Sequence, residues 1–317
     1  MTQTKERLGY VDFCRGVAII LVVMGHMIQF NGIHSSNPVF EVIYTFHMPL
    51  FFAISGYITH KVTQITCGRQ YVIFLKKKVI SILIPYFVWL LLAGRYFFAE
   101  QWEVISSYDV WQSVMGWSGL WFLKTLFIIL VSYGLFNWML HKFKSMGFFS
   151  LILSFLPVLA STIIIFALKV EPVNLFMYTF FFYVGSIISA IPKLEEFLME
   201  DIPYTLCFTG FMVLVAHWSF DNRVFMDDVY KMIASTCSFV MLLGLSRKAN
   251  IYPLVNNEIQ KFGRNTLIIY VLQFHLCKFW SCSLTFLNGG AIRSFSLSSV
   301  PFWRFRYAMS ASCSPNV

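Results

Sequence analysis

An aspartate, an arginine and a histidine lie within the first apolar stretch of the chain, at Asp12, Arg15 and His26. At mid-helix in a membrane an Arg or Asp costs about 2.5 to 3.5 kcal/mol on the insertion scale, and such groups ordinarily face a protein-lined cavity. Arg15 and His26 are eleven positions apart, so at ~100° per residue they fall within ~20° of one face of a helix. Asp12 sits one turn below Arg15 on that stripe, followed by Gly16, Ile19, Val23 and Phe30, and the small Gly16 leaves room beside the arginine. The ~1.5 Å rise per residue separates the arginine from the histidine by about 16 Å. One face therefore presents a cation at a membrane boundary and an imidazole far inside. A neutral imidazole, with an ordinary pKa of ~6.5, can take a proton from an attacking hydroxyl near neutral pH. The plainer reading pairs Asp12 with Arg15 as an interfacial anchor and has His26 bonding a neighbouring helix.

The elements that must carry these groups follow from composition. Of 317 residues, 58% are hydrophobic and only 12% charged, and the mean hydropathy is +0.68, whereas soluble domains carry about 25% charge. That balance excludes a soluble globular protein, a disordered chain and a nucleic-acid binder. Stretches of membrane-crossing length fall at 11–30, 42–59, 79–98, 120–140, 148–168, 173–191, 202–219, 229–246 and 265–287. A tenth, at 291–309, is interrupted by Arg293, Arg304 and Arg306. The expected fold is an all-α, polytopic transmembrane helical bundle of nine to ten spans. With the N-terminus cytoplasmic, 14 Lys and Arg fall in inner segments and 4 in outer ones. That asymmetry is the positive-inside pattern, and it explains a net charge of +9 without nucleic acid. No small-residue cleavage site precedes His34-Ser35-Ser36-Asn37, so the first span reads as retained. The 7 cysteines are scattered without a CxxC and read as small apolar fillers rather than disulfides or a metal site.

The segment from Asp12 through Arg15 and Gly16 to Gly25-His26 resembles the opening signature of the acyltransferase 3 family of integral-membrane acyltransferases, whose Arg and His are separated by ten residues. Phe46-His47-Met48-Pro49-Leu50-Phe51-Phe52, with Ser55-Gly56-Tyr57, resembles the next family block, especially in fucose 4-O-acetylase-like members. Ile84-Pro85-Tyr86, Leu120-Trp121-Phe122-Leu123 and Phe262-Gly263-Arg264-Asn265-Thr266-Leu267 leading to Tyr270 add three further matches, in order, over about 10–275. The resemblance implies transfer of an acyl group, usually acetyl from cytoplasmic acetyl-CoA, to a sugar hydroxyl of a surface polysaccharide or its lipid-linked precursor. The protein would then be a multi-pass component of the plasma (inner) membrane. It makes Arg15 and His26 the essential pair, with His26 as general base. Arg15, Lys76, Lys77 and Lys78 would hold the CoA phosphates.

Asp12, His47, Trp121 and Gln273 are the candidate substrate-binding residues. His47 has a structural alternative in bonding carbonyls freed by Pro49, and Trp121 in lying at the membrane interface. Two departures from the family pattern matter. Lysines stand where arginines are common, which loses the bidentate fork. Gln273 stands where a His is frequent, and an amide can bind a sugar without acting as a base. Ser55 beside Gly56 reads as packing surface, and Lys124, Lys231 and Lys278 are expected to snorkel. A transporter or flippase competes with the enzymatic reading, yet Asp12 is the lone carboxylate within a span, where proton-coupled carriers use several. An inactive relative is favoured by the serine-rich 288–317 segment, which reads as a truncated or altered last span after a 1–287 acyltransferase domain.

Overall fold

The computed structural model describes residues 9–30, 37–63, 65–89, 120–143, 172–216 and 225–273. Expected spans at 148–168 and 291–309, the far parts of those at 79–98 and 265–287, and the 288–317 tail lie outside the described residues. Every regular element among those described is helical: α1 (Gly9–Phe30), α2 (Pro38–Val62), α3 (Gly68–Lys78), α4 (Trp121–Lys142), α5 (Pro172–Ala190), α6 (Pro192–Leu198), α7 (Asp201–Ala216), α8 (Phe225–Lys248) and α9 (Pro253–Arg264). A π-helical turn, Val79–Leu83, follows α3, and residues 84–89 and 266–273 are helical as well.

Four of these helices are long and apolar enough to cross a membrane, at Gly9–Gln29, Pro38–Val62, Trp121–Lys142 and Asp228–Ile251. A fifth candidate is the pair α5 and α6, bent by 104° between Ala190 and Pro192. The bend has a local cause: Pro192 forces the residue before it out of the helical region, and Ile191 is extended at φ −116°, ψ 92°. The expected 202–219 span corresponds to α7, a shorter apolar helix.

Helices α1 and α2 run antiparallel. At one end the Tyr10 and Tyr57 hydroxyls bond at 2.8 Å; at the other, Gly25 packs against Tyr44 and Ile43. Asn37 starts α2 by accepting from the Val39 and Phe40 amides with its side chain, and Pro38 occupies a first-turn position where its missing N–H costs nothing. Pro49 sits inside α2 and cannot bond the carbonyl four residues back. That carbonyl, on Thr45, instead accepts from Ser235 Oγ of α8 at 3.2 Å. The helix interruption thereby becomes a tie between α2 and α8.

At the Tyr10 end, Glu195 of α6 is 8% exposed. It accepts from Tyr57 at 2.5 Å and from Lys61 Nζ at 2.5 Å, so the short helix beyond the bend is clamped onto α1 and α2. Farther along, Gly56 and Gly185 let α2 and α5 meet at backbone contact: a methyl on either would overlap the Phe182 or Ala53 carbonyl. Close approach through small residues is the usual way apolar helices associate where lipid is as apolar as the helix surface.

Candidate active site

The tightest contact near Arg15 is made by α9. Gly16 faces the Ile259 carbonyl, and Gly263 faces the Asp12 carbonyl, each too closely to admit a Cβ. The space expected beside the arginine at Gly16 is therefore filled by α9 backbone. This contact brings the end of α9, with Arg264, to the Arg15 level of α1. From the other side, α3 ends at Lys78 and passes into the π-helical turn. A π-turn inserts an extra residue and re-aims those beside it, and Lys78, Ser81 and Ile82 all face the same cavity.

That cavity has a volume of about 260 Å³. Arg15, Lys78 and Arg264 are its cations, and no carboxylate lines it among the described residues. Ser55, Thr59, Ser81 and Thr266 add hydroxyls, while Val22, Met48, Phe51, Phe122, Leu126 and Tyr270 make the rest of the wall apolar. The wall has a definite axis. Arg15 to Val22 on α1 spans seven residues, roughly 10 Å by helical rise, and α2, running the opposite way, goes from Thr59 to Met48. The 266–273 segment goes from Thr266 to Tyr270. One end is cationic and polar, the other aromatic and aliphatic.

Just past the apolar end lie the remaining polar groups. His26 is one turn beyond Val22, His47 is next to Met48, and Gln273 is three residues beyond Tyr270. Gln273 is 1% exposed and its amide lies beside the His26 ring. Neither amide atom completes a hydrogen bond of good geometry among the described residues. Such a buried amide costs about 1 to 3 kcal/mol, which a bound hydroxyl would recover.

His47 is 4% exposed. Its Nδ1 lies 2.7 Å from the Ile43 carbonyl, which can only accept, so Nδ1 carries the proton and Nε2 is left as an acceptor. Its ring lies 4.7 Å from that of Tyr44, and His26 and Lys231 lie within electrostatic reach of it. His26 is not on the cavity wall, whose residues at that end include Val22, Phe122 and Tyr270, with the Phe122 and Tyr270 rings 5.4 Å apart.

An acyltransferase domain profile matches residues 8–309. The chain belongs to the acyltransferase 3 family. A 52-residue stretch is 50% identical to the nodulation protein NolL of Sinorhizobium fredii, covering 15% of this chain and 14% of that protein. A 61-residue stretch is 43% identical to the nodulation protein NolL of Mesorhizobium japonicum, covering 18% of this chain and 16% of that protein. The matched stretches thus span only 14% and 16% of the two curated relatives. No solved structure matches it.

Of the site residues expected from the sequence of this acyltransferase 3 member, Arg15 and Lys78 share the cavity, and His26, His47 and Gln273 gather beyond its inner end. Asp12 is 4% exposed and stands 4.0 Å from Arg15 Nη1, positioned to orient the arginine rather than to line the cavity. Trp121 stacks on Tyr178 at 5.2 Å, and its neighbour Phe122 takes the wall position. Lys76 and Lys77 are exposed and off the wall, because successive helical residues turn by ~100° and only one of three can face inward.

Two groups were not expected. Arg264 lies inside a quoted family block, so its signal was present but unassigned. Lys231, expected to snorkel, is 9% exposed. Ser235, one turn later and 0% exposed, bonds the Thr45 carbonyl and so holds this stretch of α8 against α2.

Proposed function

We propose that the chain is a membrane O-acyltransferase that moves an acetyl or similar acyl group from acyl-CoA to a hydroxyl of a cell-surface polysaccharide or its lipid-linked precursor. The supporting observation is the cavity: three cations at one end, an apolar wall, and a His26–His47–Gln273 cluster one turn past the other. A ligand with an anionic head and a long, weakly polar arm fits that gradient, and an acyl-CoA has this form. With the N-terminus cytoplasmic in the plasma membrane, the cationic mouth opens to the compartment that supplies the donor, and the histidines lie towards the acceptor side.

The donor supplies an activated acyl group as its thioester. Arg15 and Lys78 hold its phosphates. His26 takes the proton of the acceptor hydroxyl and returns it to the departing thiol. Gln273 hydrogen-bonds the acceptor through its amide, and His47 orients it through Nε2. To reach His26 the acyl end passes the Val22, Phe122 and Tyr270 side chains, which keep water from the thioester until the acceptor is in place.

The decisive experiment incubates the purified full chain in lipid nanodiscs with radiolabelled acetyl-CoA and a panel of lipid-linked and free oligosaccharides. Label appearing as a base-labile ester on sugar is the expected result. A chain that carries no label to any hydroxyl, while instead moving a sugar across liposomes, overturns the reading.

The donor site also has a predictable pH response. Lys78, at the end of α3, is pushed down to about 8, chiefly by burial and further by the Arg15 charge. It is therefore cationic below pH 8 and loses its charge as pH rises through that value, so donor affinity is strongest on the acid side. The KM for acetyl-CoA is expected to rise severalfold between pH 7 and pH 9, and Lys78→Gln to flatten that rise. An unchanged slope in Lys78→Gln would remove Lys78 from the donor site.

A further inference from the structure

The three cavity cations differ in exposure. Lys78 is largely enclosed, with the Arg15 charge close to its own. The Arg15 side chain is 38% exposed, and Arg264, at the end of α9, is exposed at the lip. In falling exposure the order is Arg264, Arg15, Lys78. A CoA thioester entering acyl end first has an order of its own: the acyl group innermost, then the pantetheine arm, then the 5′-diphosphate, and outermost the ribose 3′-phosphate.

Matching the two orders, we propose that Arg264 binds the 3′-phosphate of the donor and so distinguishes CoA from its dephosphorylated form. This rests on the acyl-CoA reading above and leaves the diphosphate to Arg15 and Lys78. The chemistry suits the group. A phosphate monoester is a compact dianion with three acceptor oxygens, and a guanidinium meets two of them at once. The backbone under Arg264 is held in place, since Gly263 seats against the Asp12 carbonyl with no room for side-chain play. Lys261, three residues before Arg264, is engaged by Glu258 at 2.6 Å.

The test is titration calorimetry on the full chain in nanodiscs, with CoA and 3′-dephospho-CoA as separate ligands. Wild type is expected to bind CoA about tenfold more tightly, the size of one charge-assisted contact. In Arg264→Gln that ratio falls to about one, and Arg264→Lys, which keeps the charge but not the fork, lies between. Because the ratio is taken within each variant, a general loss of folded protein does not mimic the result. A ratio that stays tenfold in Arg264→Gln, or both affinities falling together, overturns the 3′-phosphate assignment. Wild type binding both ligands equally tightly overturns this inference alone. Wild type binding neither overturns the donor reading along with it.

Discussion

Replacing His26 by alanine should lower acetyl transfer by about a thousandfold, within the 10²–10⁴ range of a positioned general base. Of the two histidines gathered past the cavity, His26 is the one beside the Gln273 amide, whereas His47 has its Nδ1 committed to the Ile43 carbonyl. Loss of the base leaves both substrates bound but the hydroxyl proton without an acceptor, so kcat falls while the KM for acetyl-CoA stays within about twofold. His47→Ala, which removes an orienting group, is expected to act mainly on the acceptor KM. Initial rates of labelled ester formation in nanodiscs, with both substrates varied, separate these outcomes. Transfer by His26→Ala within threefold of wild type would remove it from the chemistry.

Gly263→Leu is expected to destabilise the bundle by about 3 kcal/mol or more, at or above the top of the usual overpacking range. Overpacking is ordinarily relieved by side chains shifting, but here the new atoms meet main chain: the Asp12 carbonyl and the Gly16 amide. Helix α9 must then move away from α1, and Arg264 leaves the cavity mouth with it. The substitution should lower the detergent melting temperature and weaken CoA binding together. Gly210→Ala on α7 is the control, since among the described residues a Cβ there meets only Cys237 Sγ at 3.9 Å and gains about 1 kcal/mol of helix propensity. A Gly263→Leu protein as stable as Gly210→Ala would mean that the α1–α9 contact is not a fixed feature of the fold.

Much of the site was legible in the residues themselves. Polar groups in an apolar helix are too costly to be incidental, and helical periodicity alone puts Arg15 and His26 on one face. The lysine run was legible only as a cluster. Sequence spacing cannot say which of Lys76, Lys77 and Lys78 faces inward; in the folded chain it is Lys78. Gly16 was read as leaving space, yet a missing side chain marks close approach as readily as it marks a void, and here Ile259 takes the place. One of the two readings of His47 has it bond a carbonyl freed by Pro49. The carbonyl it frees is Thr45's, and Ser235 claims it, while His47 bonds Ile43.

The sequence by itself determined the solvent, the helical class, the family and the stripe carrying Arg15 and His26, because each depends on composition or on order within one segment. Tertiary structure alone decided that Arg264 joins Arg15 and Lys78, that Gln273 and His47 meet His26, and that Lys231 is covered. Those juxtapositions join residues as many as about 250 positions apart, and they are set by how closely one helix backbone can approach another, which no single segment encodes.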